Sequence, residues 1–315
     1  MKRNPNYHGT RPHPLAAIAL REGVDATAAL DRTHHGGWDG IVSSGHTDSE
    51  LLDPLLDPNG AVASRYGMAP SSDSQYVAAR LPETGYIVLN AVRGPFADQT
   101  VRRAAALAVD RSALAPVWNE VFSDQLLPPV LPGFHDRHFY PLDAPALGEA
   151  ARLMRGRHLN AVMAIQANCE PCLDEGRLVR AELGRIGLRV KLEAFKDTFA
   201  AAAKRSPRID IMDNGLWGYP DGAAFLESVV FASIPPSWRS SEVMNAVERV
   251  NRLAGNERLA AAAALADRLV VSDVPVIPYG NRVNGEVFAP TVGCRIFPPA
   301  SYGVDLAALC RRERP

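Results

Sequence analysis

Hydrophobic and polar positions change period along the chain, and each change marks an element. Leu188, Val190, Leu192 and Ala194 alternate with Arg189, Lys191 and Glu193, which predicts a half-buried strand. Upstream the period is helical: Val179, Leu183 and Ile186 share a face of a helix predicted from Leu173 to Ile186, with Gly187 as its stop. Before that helix Leu159–Ile165 is a mostly apolar run, so the three segments predict a βαβ unit with a right-handed crossover. Two further helices are predicted to cover a sheet. One carries Val243, Ala246, Val247, Val250 and Leu253 on a single face, the other Leu259, Ala262, Ala266, Leu269 and Val270. A strand is expected at Val276–Tyr279, introduced by Pro275, and residues 280–315 are expected to be rich in turns around Pro290, Pro298 and Pro299.

The first part of the chain alternates shorter elements: a strand at Ala17–Arg21, a helix at Val24–Arg32, a strand at Trp38–Val42 and a helix at Asp48–Leu56 stopped near Pro58. Between them and the βαβ unit lies the densest stretch. A strand ends at Ile87-Val88-Leu89-Asn90, Gly94-Pro95-Phe96 breaks it, and Asp98 caps a helix by accepting backbone N–H bonds. Val101, Ala104, Ala105 and Ala108 form the apolar face of that helix, with Arg102 and Arg103 off it, and Asp110 restarts a helix over Ser112–Glu120.

Composition changes the picture only by exclusion. At 315 residues, 47% hydrophobic and 22% charged, the chain has material for two lobes with a core each. No apolar run reaches the roughly 18 residues of a spanning helix. A net charge of −1 and a pI near 6.7 give no bias toward nucleic acid or anionic lipid, and Arg311-Arg312-Glu313-Arg314 reads as a solvated basic end. Met1-Lys2-Arg3-Asn4-Pro5 lacks the apolar core of a secretory signal, so taken literally the sequence predicts a chain that stays in the cytoplasm.

Few residues offer catalytic or metal chemistry. Cys169-x-x-Cys172 leaves three readings open: inert thiols, a local disulfide if the chain is exported, or a metal or redox pair. Cys294 and Cys310 lack zinc-finger spacing. His34-His35 beside Gly36 suits a helix C-terminus, and His135-x-x-His138 falls in a predicted loop. No phosphate-binding glycine loop, nucleophile elbow or zinc-protease motif is present. Neither a cofactor nor a catalytic residue is therefore assigned.

Several motifs occur in a collinear order that is more specific than any of them alone. They are Arg3-Asn4-Pro5-x-Tyr7-x-Gly9, Gly37-Trp38-Asp39-Gly40-Ile41, Leu89-Asn90, Pro95-Phe96-x-Asp98, Val101-Arg102-Arg103-Ala104, Ala108-x-Asp110-Arg111, Tyr140-Pro141-Leu142-Asp143 and Pro275-Val276-Ile277-Pro278. Together they resemble the family 5 solute-binding proteins of ABC importers, of the oligopeptide, dipeptide and nickel type. The resemblance implies an α/β, periplasmic-binding-protein-like two-lobe fold, with residues 1–88 as a partial first lobe, 89–279 as an intact second lobe and 280–315 returning to the first. Family members usually begin with an export sequence and further strands, so the resemblance implies that this chain starts midway through the first lobe.

In that family the ligand lies between the lobes, and a Gly-Trp-rich loop of the second lobe forms one wall. Leu216-Trp217-Gly218-Tyr219-Pro220-Asp221-Gly222 resembles that loop, which implies ligand contacts from Trp217, Tyr219 and Asp221, with Asn90 as a further candidate; a tight turn packing its aromatics on the next helix is the alternative. The acidic residue that pairs with a peptide ammonium in peptide-binding members has no match here. Asp213 either compensates or is a strand-end carboxylate in solvent. The resemblance implies a non-enzymatic role: capture of a peptide-like or other small solute for an ABC permease, in the periplasm or at the cell surface if an export signal precedes the chain. Membrane contact would then be indirect, through the permease or a lipid anchor. The alternative role is a ligand-sensing domain of a regulatory or signalling fusion, and an oxidoreductase using Cys169 and Cys172 is a more distant one.

Overall fold

The computed structural model describes residues 1–42, 75–118, 120–204, 208–217, 221–298 and 303–312. The helix expected over Asp48–Leu56 lies outside them. The chain forms two compact units, Met1–Leu81 with Val283–Pro315, and Pro82–Arg282. It passes between them inside two long strands, β2 (Tyr76–Leu89) and β7 (Val276–Phe288), at 81/82 and 282/283.

The second unit is built on a mixed sheet. β4 (Leu159–Gln166) and β5 (Leu188–Phe195) pair in parallel from Leu159 opposite Leu188 to Gln166 opposite Phe195, and α5 (Glu170–Gly184) connects them, as the alternating pattern predicts. Gly187 stops the connection: its φ is 89°, and a Cβ there would come within 2.6 Å of the Arg157 carbonyl. β6 (Ile211–Trp217) lies parallel to β4 and antiparallel to β2, and β7 is the next strand beyond β2. Short β3 (Glu120–Phe122) pairs with β7. The two predicted covering helices are present as α8 (Ser241–Asn251) and α9 (Gly255–Arg268).

Helix α2 (Gln99–Ala108) starts where expected, with Asp98 accepting the Thr100 amide at 2.8 Å. Arg102 departs from the pattern: it is buried, because a helical side chain leans toward the N-terminus and its guanidinium there meets the carbonyls of Phe96 (2.7 Å) and Asp273 (2.7 Å). The helix expected over Ser112–Glu120 is also cut short. It runs only over α3 (Arg111–Leu114), then tightens to a 3-10 turn at Ala115–Trp118, where Pro116 supplies no amide to continue the ladder, and Glu120 opens β3.

The Asp110-Arg111 pair that restarts the helix is a junction of the unit. Arg111, about 1% exposed, donates to the carbonyls of Pro278 (3.0 Å), Ala106 (3.2 Å) and Val109 (3.4 Å), and its guanidinium carbon lies 4.6 Å from the Tyr140 ring centre. Glu182 of α5 accepts the Asp110 amide at 3.1 Å. Burial holds the Arg111 pKa down at about 10 and pushes that of Glu182 up to about 8.

The first unit has smaller cores, one of Val77, Phe288, Ala289, Val292, Val304 and Leu309, the other of Leu30, Tyr76 and Val287. Helix α1 (Ala26–His34) ends at His35, whose backbone amide donates to the Asp31 carbonyl at 3.0 Å and whose ring Nδ1 lies 2.9 Å from the same oxygen. β1 (Gly40–Val42) pairs with the end of β7. The strand expected at Ala17–Arg21 is reduced to a single bridge between Lys2 and Ala17. Conversely, β7 continues through Phe288 where turns are expected, every residue buried, because its polar side chains find partners indoors.

Arg111→Ala should destabilise the chain by about 3 kcal/mol, since it leaves three buried carbonyls without a donor and opens a cavity. Arg111→Lys should recover only part of this, lacking the planar fork. Urea unfolding of the three proteins checks the order.

Candidate functional site

The candidate wall strand β6 meets β2 in a register that places Gly215 opposite Gly85 and Trp217 opposite Glu83. Gly85 of β2 and Gly280 of β7 leave room that the Glu120 side chain fills: a Cβ at Gly85 would come within 2.5 Å of Glu120 Oε2, and one at Gly280 would meet the same oxygen. Around this point the fold gathers acidic groups from four elements. Glu83 of β2 pairs with Arg282 of β7 at 3.5 Å, Asp213 of β6 accepts from the Tyr279 hydroxyl at 3.1 Å, and Glu175 of α5 accepts from the Trp118 indole at 2.8 Å. Beside them Asn281 donates to the Thr84 hydroxyl at 2.9 Å.

Four carboxylates here face one guanidinium. Burial is the first cause raising the pKa of Glu83, Glu120 and Glu175; the charges of Glu83 and Asp213 add to it at Glu120, and that of Asp213 at Glu175. Asp213 is raised to about 6 by burial, against the pull of hydrogen bonds from Glu175 and Tyr279. Burial and the neighbouring Asp213 charge favour the protonated form of Glu175. Glu120 Oε2 is buried without a hydrogen-bond partner. Burial suppresses most of the acidic charge, and what the arrangement keeps is an unpartnered acceptor oxygen of Glu120 next to the Glu83–Arg282 pair. Among the described residues, no group of three or more His, Cys, Asp or Glu side chains is placed to hold a metal ion.

The residues expected from the sequence fall as follows. Trp217 ends β6 opposite Glu83, and Tyr219 lies outside the described residues. Asp221 caps α7 (Gly222–Ser228), its Oδ1 accepting the amides of Ala223 (2.9 Å) and Ala224 (3.0 Å) and its Oδ2 lying 2.8 Å from Arg258. Desolvation raises the Asp221 pKa, but these amides and Arg258 outweigh it and hold the carboxylate below its usual range. Asn90 is fully buried; its Oδ1 accepts the amides of Val92 and Arg93, and its Nδ2 faces the Ile209 carbonyl at 3.4 Å, so it shapes the turn after β2. Asp213 is not a solvent carboxylate but part of the acidic cluster. Glu83, Glu120 and Glu175 escape a reading of periodicity. For Glu175 a signal exists, because it lies on the buried helical face with Cys172 and Val179.

Residues 1–234 match the family described as bacterial extracellular solute-binding proteins, family 5 Middle. No curated protein matches the chain in sequence. Among solved structures, HbpA2 from Haemophilus parasuis superposes with a TM-score of 0.72 at 16% identity, covering 92% of this chain and 57% of that one. A putative peptide binding protein, AppA from Clostridium difficile, gives 0.75 at 14% identity over 99% of this chain and 64% of its own. NikA from Brucella suis, in complex with Fe(III)-EDTA, gives 0.71 at 19% identity over 99% and 65%. The chain thus has the α/β two-lobe fold of these proteins and spans less than two thirds of their length.

A carboxyl group whose folded pKa is raised contributes stability that is fully present below its unfolded pKa and is lost as pH rises through the folded one. Glu175→Gln keeps a donor toward Asp213 and an acceptor for Trp118 without the titration. It should unfold like the parent at about pH 4, below the unfolded pKa, and be more stable by on the order of 1 kcal/mol at pH 8. Equal urea midpoints at both pH values would remove the proton from the cluster.

Proposed function

Because the chain belongs to the bacterial extracellular solute-binding proteins, family 5, we propose that it captures a peptide-like or other small solute and presents it to an ABC permease, without covalent chemistry. The observation carrying this reading is the acidic cluster at the end of β6, directly beside Trp217 in the sheet register. Trp217 and Tyr219 supply the apolar wall, and the cluster favours a solute with an ammonium or guanidinium group. Asp221 is committed to its helix cap and to Arg258 and is not assigned a direct bond to the solute.

An extracytoplasmic workplace is supported by the cysteines. All four are paired, Cys169 with Cys172 and Cys294 with Cys310, and such bonds persist in oxidising compartments. The second pair joins residues that look unrelated in the sequence, because β8 (Val292–Gly293) and β9 (Cys310–Arg311) lie antiparallel. Mass spectrometry of the protein from its native host should find both pairs oxidised.

Calorimetric titration with trilysine, trialanine and triglutamate tests the solute assignment. Trilysine should bind most tightly, and Trp217→Ala should weaken it by about 1–3 kcal/mol while the unliganded protein keeps its melting temperature. Preference for triglutamate overturns the cationic assignment. Unchanged affinity in Trp217→Ala takes this segment out of the site.

A further inference from the structure

A cavity of about 350 Å³ opens in the second unit beyond the C-terminal end of β2, at Ala91, whereas the acidic cluster lies toward Glu83 on the same strand. The first turns of two helices face it: Gln99 and Arg102 from α2, Ser240 and Glu242 from α8. Ser240 caps α8 by accepting the Val243 amide at 3.2 Å, and the amides before Val243 have no partner within the helix. The N-terminus of α8 favours negative charge there, whereas that of α2 is already met by the Asp98 carboxylate.

Side chains add to that bias. Arg102 is about 8% exposed and spends its bonds on backbone carbonyls. Arg239 does the same with Ile234 (2.8 Å) and Phe231 (2.7 Å), so neither guanidinium is hydrogen-bonded to a carboxylate. The acids on the wall are compensated: Glu242 and Asp273 both pair with Arg268, at 2.5 and 3.0 Å. Arg102 and Arg239 are the cations of the lining, and Arg268, behind it, offsets the charge of Glu242 and Asp273. An independent sign of a missing acceptor comes from Trp238, a lining residue with no exposed surface whose indole Nε1–H is buried and has no partner.

We propose that this cavity binds a small anion through a phosphate- or carboxylate-type oxyanion head, held by Arg102, Arg239, the Trp238 indole and the first turn of α8. It is a second site, separate from the solute wall, and does not rest on the solute assignment. The volume takes the head with a small organic body.

The test is NMR of the full chain carrying ¹⁵N-labelled tryptophan, titrated with sodium phosphate and separately with sodium acetate at constant ionic strength. The Trp238 indole signal is identified by its loss in Trp238→Phe or, should that variant not fold, by elimination with the other three tryptophans. A saturable shift of this signal alone is expected with millimolar anion; phosphate alone assigns a phosphate head, acetate alone a carboxylate. Glu242→Gln, which removes an exposed negative charge, should tighten binding by about twofold or more. The proposal is overturned if the signal stays in place up to about 50 mM of both anions, if all indoles move together, or if Glu242→Gln weakens binding.

Discussion

The second unit depends on one buried cation. Arg111 sits where the C-terminus of α2, the start of β7 and the Tyr140 ring converge, and its planar fork gives all three a shared donor. A guanidinium buried this far is tolerable only because carbonyl dipoles surround it and three acidic groups, Asp124, Glu182 and Asp110, raise its field. Its bond to the Pro278 carbonyl fixes β7 one residue before Tyr279, which is the hydroxyl that reaches Asp213. The geometry of the acidic cluster is thus inherited from a contact on the other side of the strand.

β7 shows how the unit places polarity inside. Asn281 bonds Thr84, Arg282 pairs with Glu83 and, in the first unit, Glu286 accepts the Val304 amide. Each group is costly to bury alone and acceptable with its partner. Oxygens of Glu120, Glu175 and Glu286 stay without a partner, that of Glu120 in the space left by Gly85 and Gly280. Protonation resolves part of the conflict, since burial raises the pKa of Glu120, Glu175 and Asp213.

The two proposed sites lie toward opposite ends of β2, one near Glu83 and Trp217 and the other beyond Leu89. Both ends use the same device, a buried polar group short of one partner, with opposite sign.

Local period and capping chemistry determined the elements that depend on neighbours in sequence. The β4–α5–β5 unit, the Asp98 cap of α2 and the covering helices α8 and α9 follow from apolar spacing and a single side-chain oxygen, and the order of short motifs was enough to indicate the family. Trp217 became a candidate through the resemblance of its loop to the family's ligand wall. What the tertiary structure alone decided concerns polar residues whose partners are far away in the chain. The length of β7, the burial of Arg102, the Cys294–Cys310 pair and the gathering of Glu83, Glu120, Glu175 and Asp213 rest on contacts across tens to more than a hundred residues. A polar side chain carries no periodic signal for its own burial; only the partner that satisfies it makes burial favourable, and that partner is set by the fold.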